Sequence, residues 1–325
     1  MAYTLTDFQH QIENGLNNIK YNNTPSELYD PIKYILSLGG KRMRPVLVLA
    51  SSNMFSDEID VAVAPALGIE LFHNFTLLHD DIMDKAPLRR GSATVHEKWN
   101  TNIAILSGDT MFVKSYQLVQ QAPDRVLRQV LKLFSETAIE VCEGQQMDMN
   151  FETIQQVNII TYLKMIELKT AVLLACCLKM GALLGGASEE DAQHLYEFGR
   201  NIGIAFQLQD DLLDVYGDAK SFGKQVGGDI VSNKKTFLLI KALSVAHKYQ
   251  KEELEQWMAL TTFNTQEKVK AVTEIYDYLN IRTLAENEIR KYYEKSMLHL
   301  EKVNVSAEKK QLINSFADQL MVRKV

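Results

Sequence analysis

Hydrophobic residues recur every three to four positions along almost the whole chain, which is the spacing of amphipathic helices. Leu5, Phe8, Ile12 and Leu16 mark one face of a first helix, and a second helix is expected to end at Gly39-Gly40. Further helices are predicted over residues 58–84, 101–121, 124–149, 158–184, 190–216, 234–258, 265–280, 282–300 and 307–321. No alternating run bounded by turn residues is found, so few or no strands are expected. Several helices are apolar nearly all round, which predicts one all-α domain over residues 1–325, larger than a four-helix bundle.

Composition agrees with this prediction. The chain has 325 residues, of which only 16 are glycine and 6 are proline, and no proline follows Pro123. A proline inside a helix costs about 3 kcal/mol, so a long proline-free stretch is typical of a helical protein. Hydrophobic residues make up 46% and charged residues 23% of the chain, which excludes disordered and collagen-like classes.

Net charge and cysteine content limit the classes of binding partner and the cellular compartment that are expected for this chain. The formal net charge is −6 and no basic block of five residues occurs, which argues against a nucleic-acid partner. Three cysteines give no disulfide framework and indicate a reducing, cytoplasmic setting, and the N-terminus lacks the basic region of a signal peptide. The apolar stretch 171–187 contains Lys179 and is shorter than the roughly 20 residues of a membrane span, so a buried helix is expected there.

Two similar acidic segments lie 130 residues apart. Asp80, Asp81 and Asp84 form a D-D-x-x-D pattern, and Asp210, Asp211 and Asp214 repeat it, each in apolar helical sequence. On a helix the first and last aspartates of each pattern share a face and repel one another. A solvated acidic helix end would explain one such pattern. Six aspartates in two buried helices require cations, and carboxylate oxygens favour Mg²⁺ or Mn²⁺.

Basic residues accompany both acidic segments. Arg89 and Arg90 follow the first one and precede Gly91, while Lys224 and Lys234 follow the second. Lys41, Arg42 and Arg44 come directly after Gly39-Gly40. Arginine forks suit phosphate oxygens, and glycines allow the backbone to approach them. Because Mg²⁺ completes its shell with water and phosphate oxygens, a diphosphate is the expected ligand.

These motifs resemble the trans-isoprenyl diphosphate synthases, also called polyprenyl synthetases. The resemblance covers residues 39–234 and includes 39–45, both aspartate segments, Arg89-Arg90-Gly91, 144–148, Lys169-Thr170, Phe206-Gln207, Gly223-Lys224, Asp229 and Lys234. It implies the all-α isoprenoid synthase fold, a large helical bundle around a central active-site cavity. It also implies a homodimer, three Mg²⁺ ions, and condensation of isopentenyl diphosphate with an allylic diphosphate.

The resemblance also implies residue roles. Metal binding falls to Asp80, Asp84, Asp210, Asp214 and Asp148, with Asp214 acting mainly through other groups. The allylic diphosphate is bound by Arg89, Lys169, Lys224 and Lys234, and isopentenyl diphosphate by Lys41, Arg44, His73 and Arg90. Lys169, Thr170 and Gln207 are the expected catalytic residues, the last two placing oxygen dipoles near the developing carbocation. A packed helix histidine is the alternative for His73.

Residues before the first aspartate segment set product length in this family. Phe75, Thr76 and Phe72 are the candidates, and Phe75 lies roughly 7.5 Å along the helix from Asp80. A ring followed by threonine resembles geranylgeranyl (C20) synthases more than farnesyl (C15) synthases. Core packing is the alternative role for both rings.

Four other readings are open to the same residues. A terpene cyclase would have a different second metal motif, and a squalene-type synthase would not need the intact 39–45 motif. A regulatory subunit without activity would be expected to have lost aspartates or basic residues, and none is missing here. A metal-buffering helical protein would not need Lys169-Thr170 or Gln207.

Overall fold

The computed structural model describes residues 3–21, 24–154, 156–217 and 227–321, which are helical nearly throughout. Together with one π-helical turn, Glu167–Ala171, the α-helices make up 80% of the structure. In chain order the helices are α1 Leu5–Asn18, α2 Ser26–Ser37, α3 Met43–Phe55, α4 Asp60–Met83, α5 Val95–Lys98, α6 Thr101–Val119, α7 Asp124–Thr153, α8 Ile159–Ile166, α9 Val172–Gly185, α10 Glu189–Tyr216, α11 Gly228–Val231, α12 Phe237–Val245, α13 Lys248–Ala259, α14 Thr265–Tyr278, α15 Ile281–Lys302 and α16 Ala307–Met321. The all-α prediction is confirmed.

The strands that the structure describes are two short ones. Leu88–Arg89 (β1) and Ser92–Ala93 (β2) pair antiparallel. Arg90 and Gly91 connect them, and both have positive φ angles, 53° and 76°. Two positive φ angles in a two-residue connection fit the type I′ turn that matches strand twist.

Several helices differ from the sequence prediction. Helix α3 was not predicted, because its sequence is apolar all round and lacks a helical period. The helix predicted over 234–258 is two helices, α12 and α13, separated at Ala246 and His247 by extended ψ angles of 137° and 169°. Neither position carries glycine or proline, so no local signal marks this break. The helix predicted over 158–184 contains the π-helical turn.

Contacts within the chain fall into two compact units. Unit 1 comprises residues 1–136, 176–195 and 303–313, and unit 2 comprises 137–175, 196–302 and 314–325. The single domain expected over 1–325 stays a prediction.

Helix α4 is the centre of unit 1. It packs against α3 and α6, and its buried residues run from Ala62 to Asp81. The second half of α9 approaches the α3 backbone closely, since a Cβ on Gly181 would lie 2.2 Å from the Val48 carbonyl oxygen. The Ser51 hydroxyl donates to the Leu178 carbonyl at 2.6 Å. This packing fixes the helix that ends in the first aspartate segment.

The core of unit 2 surrounds the second aspartate segment. Leu208 and Leu212 of α10 are fully buried beside Tyr162 of α8 and Leu238 of α12. Helix α15 contacts α12, and Ile275 of α14 and Ile281 of α15 belong to the same buried core. The apolar face of α10 is thus enclosed, and of the aspartates in this segment Asp210 and Asp214 are only partly buried.

Two helical stretches are long and apolar enough to cross a membrane by composition, Asp60–Met83 and Ile159–Gly185. Their most apolar windows are 67% and 78% buried within the protein itself. Burial of that extent is typical of core helices, as was expected for 171–187.

Candidate active site

The loop at Gly39–Arg42 has an unusual backbone. Gly39 and Gly40 have φ angles of 75° and 136°, and Arg42 adopts the left-handed region with φ 48°. A residue other than glycine rarely adopts this backbone region without compensating contacts. Arg42 is only 8% exposed; its Nη1 donates to Glu70 Oε1 at 2.6 Å, and its Nη2 to the Leu36 carbonyl at 2.5 Å. The Arg42 side chain therefore holds the loop in this conformation.

Glycine at position 40 makes room for Arg90. A Cβ built on Gly40 would lie 2.8 Å from the Arg90 guanidinium. Lys41 is exposed beside it, and the Lys41 carbonyl accepts a hydrogen bond from Gln9 at 3.1 Å. The structure thus brings the 39–44 loop and the β1–β2 turn together, as the predicted isopentenyl diphosphate site requires.

His73 contacts Arg44. The distance from Arg44 Nη1 to His73 Nε2 is 3.1 Å, and because a guanidinium can only donate, Nε2 accepts and the proton resides on Nδ1. Burial, together with the positive charges of Arg44, Arg90, Arg89 and Arg42, holds the pKa of His73 well below 6.5. His73 is therefore neutral at pH 7. Both the predicted role and simple packing are compatible with this contact.

The middle aspartate of the first segment turns inward. Asp81 is 3% exposed, and its two oxygens contact Arg89 Nη2 at 2.7 Å and Nε at 2.8 Å. Asp80 and Asp84 lie four residues apart, and Asp84 is exposed at the C-terminal end of α4. The middle aspartate thus holds Arg89, and the metal role expected of Asp80 and Asp84 stays a prediction.

The second segment repeats this arrangement with different partners. Asp211 is 4% exposed and accepts hydrogen bonds from the Tyr162 hydroxyl and, at 3.2 Å, from the Phe237 backbone N–H. Burial and the nearby Asp229 raise the pKa of Asp211 to about 7, against the opposing effect of Tyr162 and Lys234. Asp214 Oδ2 accepts from the Asp229 backbone N–H at 2.9 Å, which agrees with an indirect role for Asp214.

Lys169 and Thr170 lie in the π-helical turn. π-Helical turns are rare in proteins, and those that occur often lie at functional sites. Two glycines allow neighbouring helices to approach it: a Cβ on Gly144 of α7 would lie 2.2 Å from Lys169 N, and one on Gly203 of α10 would lie 2.7 Å from Ala171 Cα. The turn is therefore held between α7 and α10.

The side chains of this turn point to the predicted residues of unit 2. Lys169 Nζ contacts Asp148 Oδ2 at 2.6 Å. The Thr170 hydroxyl lies 3.4 Å from Gln207 Oε1, and Gln207 Nε2 lies 3.4 Å from Asp211 Oδ1. Asp148 therefore contacts a lysine, and its expected metal role stays a prediction. Lys234 is exposed after α11, and Lys224 lies outside the described residues.

The chemistry of the aspartate side chains fits Mg²⁺. In each segment the outer pair consists of hard carboxylate oxygens on one helix face, and Mg²⁺ needs only one or two such ligands beside phosphate and water. Among the residues that the structure describes, no group of three or more His, Cys, Asp or Glu side chains is placed to hold a metal ion.

An aromatic cluster lies behind the first aspartate segment. Phe75 stacks on Phe112 of α6 with centroids 4.9 Å apart, and Phe72 contacts Phe75, Phe112 and Phe134 at 5.3–5.7 Å. Phe72 is fully buried, whereas Phe75 is 9% exposed, and the Thr76 hydroxyl donates to the His73 carbonyl. Phe75 is thus the ring of this pair that retains exposed surface.

Sequence reasoning missed Glu70, Tyr162 and the separate role of the middle aspartates. Glu70 is 2% exposed, and Tyr162 contacts Asp211 from a different helix. A single acidic residue in the apolar run of α4 is the signal that could have identified Glu70. Nothing in the local sequence links Tyr162 to position 211.

Comparison with known proteins gives consistent matches. The polyprenyl synthetase family model matches residues 25–276. A geranylgeranyl diphosphate synthase of Methanosarcina mazei is 40% identical over 274 residues, 83% of each chain, and a geranylfarnesyl diphosphate synthase of Natronomonas pharaonis is 40% identical over 67% of this chain and 69% of its own. A crystal structure of a geranylgeranyl pyrophosphate synthase superposes with a TM-score of 0.94 at 42% identity, covering 100% of both chains.

Proposed function

The chain belongs to the polyprenyl synthetase family, and from this premise we propose that it makes geranylgeranyl diphosphate from isopentenyl diphosphate and allylic diphosphates. It is a prenyltransferase, as its family and relatives indicate. The observation that carries the proposal is the repeated aspartate segment with a buried middle residue in each unit, held by Arg89 in unit 1 and by Tyr162 in unit 2. The intact Gly39–Arg44 loop favours an isopentenyl acceptor over the cyclase and squalene-type alternatives.

The family uses divalent metal ions to ionise the diphosphate. In this chain Asp80, Asp84 and Asp210 would hold three Mg²⁺ ions, with Asp214 supporting through the Asp229 backbone. Bound Mg²⁺ supplies charge neutralisation for a departing diphosphate. Arg89, Lys169, Lys224 and Lys234 add positive charge to the same group.

The allylic carbon then loses its diphosphate, and the double bond of isopentenyl diphosphate attacks it. Thr170 and Gln207 place oxygen dipoles near the positive carbon, where such preorganised groups are most effective. Lys41, Arg44, His73 and Arg90 hold isopentenyl diphosphate, with His73 neutral. A proton is finally lost to the departed diphosphate. Apolar walls exclude water, which would otherwise capture the cation.

Product length rests on the Phe75 ring. Its exposed edge and its stacking on Phe112 support a floor that stops the chain at C20. A C15 stop requires a floor nearer Asp80, and a C25 product, as in the Natronomonas pharaonis relative's name, requires a deeper one.

We also propose a cytoplasmic homodimer with one domain over residues 1–325. Helix α6 exposes Leu106 and Val113, seven residues apart on one face and 58% and 59% exposed. An apolar stripe of this kind is typical of a helix that packs against another chain. Light scattering of the purified protein would measure the mass directly.

The test is a product assay. Purified protein receives isopentenyl diphosphate with dimethylallyl, geranyl or farnesyl diphosphate, in Mg²⁺ or in chelator, and product length is read by mass spectrometry. A Mg²⁺-dependent linear C20 product is expected. Condensation with none of the three primers would refute the enzyme proposal and favour the regulatory subunit.

A further inference from the structure

A buried carboxylate lies under the basic loop of unit 1 and has no role in the chemistry described above. Glu70 is 2% exposed on α4, three residues before His73 and ten before Asp80. A buried acidic side chain is costly unless it is paired and hydrogen-bonded. The contacts of the Glu70 carboxylate therefore indicate its role.

Glu70 holds Arg42 from one side and Asn74 from the other. Oε1 accepts from Arg42 Nη1 at 2.6 Å and from Asn74 Nδ2 at 2.8 Å. Asn74 Nδ2 also donates to the Glu70 carbonyl at 2.8 Å, which fixes the amide against α4. The carboxylate is thus anchored on the helix that ends in the first aspartate segment.

Arg42 connects the fixed carboxylate of Glu70 to the 39–44 loop. Its backbone is in the left-handed region, which costs about 1–3 kcal/mol for a residue other than glycine and persists only where contacts enforce it. The guanidinium is fixed by Glu70 and by the Leu36 carbonyl. Lys41 and Arg44 flank Arg42 in sequence, so their directions follow from its conformation.

Glu70 is also a counter-charge for neighbouring arginines. Its negative charge favours the charged forms of Arg44 and Arg90 and so opposes the lowering of their pKa by burial. Arg44 and Arg90 lie on either side of the loop, at His73 and at Gly40. One buried carboxylate therefore offsets part of the positive charge of three neighbouring arginines.

We propose that Glu70 is the positioning residue of the isopentenyl diphosphate pocket, acting through Arg42 on Lys41, Arg44 and Arg90 without touching the substrate. The inference rests on the proposed function, since it assumes that these cations bind isopentenyl diphosphate. It predicts a selective effect on one of the two substrates. A residue with a purely structural role would instead reduce the amount of active enzyme.

The first test is Glu70→Gln, which keeps the volume and the amide contacts but removes the charge. We expect the KM for isopentenyl diphosphate to rise about tenfold or more, as expected for displaced binding groups, while the KM for the allylic diphosphate and kcat change by less than about threefold. Arg42→Lys keeps the charge balance but loses the forked contact, and is expected to give a smaller selective rise. If Glu70→Gln does not fold, the KM values of Arg42→Lys test the inference instead.

Ser51→Ala is the matched control, because Ser51 is also fully buried in unit 1 and donates to a distant carbonyl. It is expected to lower thermal stability and leave both KM values unchanged. Unchanged KM values in the Glu70 and Arg42 variants, or equal rises for both substrates, would overturn the inference. Absence of condensation by the wild-type protein would refute the proposed function instead, so the two failures are distinguishable.

Discussion

The two aspartate segments have the same spacing, but their middle residues are held by different chemistry. Asp81 in unit 1 is paired with a guanidinium, through contacts of 2.7 and 2.8 Å to Arg89. Asp211 in unit 2 is held by the Tyr162 hydroxyl and a backbone N–H. Both middle aspartates are nearly inaccessible, at 3% and 4%.

The middle aspartate of each segment connects its helix to another element of the same unit, whereas the outer aspartates are the ones proposed to bind cations. In unit 1 that element is the β1–β2 turn with Arg89 and Arg90, and in unit 2 it is the start of α12. The D-D-x-x-D spacing alone does not reveal this division, because it depends on partners distant in sequence.

The largest effect is expected from the outer aspartates. Asp80→Asn and Asp210→Asn should each lower kcat by about 10²-fold or more, since each removes a carboxylate proposed to hold the Mg²⁺ that would neutralise the departing diphosphate. Thermal stability should hardly change. Steady-state kinetics across a Mg²⁺ titration measures this, with Asp60→Asn at the exposed start of α4 as the control. Equal sensitivity at Asp60 would refute a specific role for Asp80.

Substitution of one closely packed glycine in each unit tests how the backbone positions the neighbouring site residues. Gly144→Ala would place a Cβ 2.2 Å from the Lys169 backbone nitrogen, which cannot yield without moving the π-helical turn. We expect a loss of about 1–3 kcal/mol in unfolding free energy and a kcat lowered about tenfold or more. Chemical denaturation and kinetics would measure both.

Gly40→Ala is the counterpart in unit 1. Its Cβ would meet the flexible end of Arg90, and alanine at a φ of 136° would also strain the loop. The expected consequences are lower stability and a higher KM for isopentenyl diphosphate, with a smaller change in kcat. A wild-type kcat for Gly144→Ala would show that the π-helical turn tolerates displacement.

The middle aspartates should differ in the pH dependence of stability. The folded pKa of Asp211 is about 7, above the ordinary value of 3.8, so its protonated form favours the folded state. Its contribution is fully present below pH 3.8 and is lost as pH rises through about 7. In chelator, Asp211→Asn should therefore gain stability relative to wild type, by about 1 kcal/mol or more, between pH 5 and pH 8.

Asp81→Asn should behave differently, because it leaves Arg89 without its carboxylate. We expect a loss of about 1–3 kcal/mol at pH 8. Thermal melts of both variants at pH 5 and 8 provide the measurement. Parallel curves for wild type and Asp211→Asn would contradict the raised pKa.

Sequence patterns were sufficient for the fold class, which follows from local spacing, and they indicate a metal role for the outer aspartates that stays a prediction. They also led to Lys169, Thr170 and Gln207 through a family resemblance. They did not predict helix α3, whose apolar residues have no period, or the break at Ala246 and His247. Glu70 and Tyr162 escaped because a buried pair is defined by partners 28 and 49 residues away.

The smallest effect on rate, and the largest on product, is expected at Phe75. Five residues before the first aspartate the chain has this ring, whereas five before Asp210 it has the small, fully buried Ala205. Of the two segments, therefore, only the one in unit 1 is preceded by an aromatic ring at this position. Phe75→Ala should lengthen the main product by at least one isoprene unit, with kcat within about threefold of wild type.

Mass spectrometry of the dephosphorylated products, with geranyl diphosphate as primer, reads this directly. Truncating a buried ring costs about 3–5 kcal/mol, so Phe75→Leu provides a milder variant if Phe75→Ala is unstable. Phe8→Ala is the control, because Phe8 is fully buried in unit 1 and stacks on Tyr3 outside the cluster of Phe72, Phe75 and Phe112. It should lower stability without changing product length. An unchanged product distribution in both Phe75 variants would assign the ring to core packing, and Phe72 would become the next candidate for the floor.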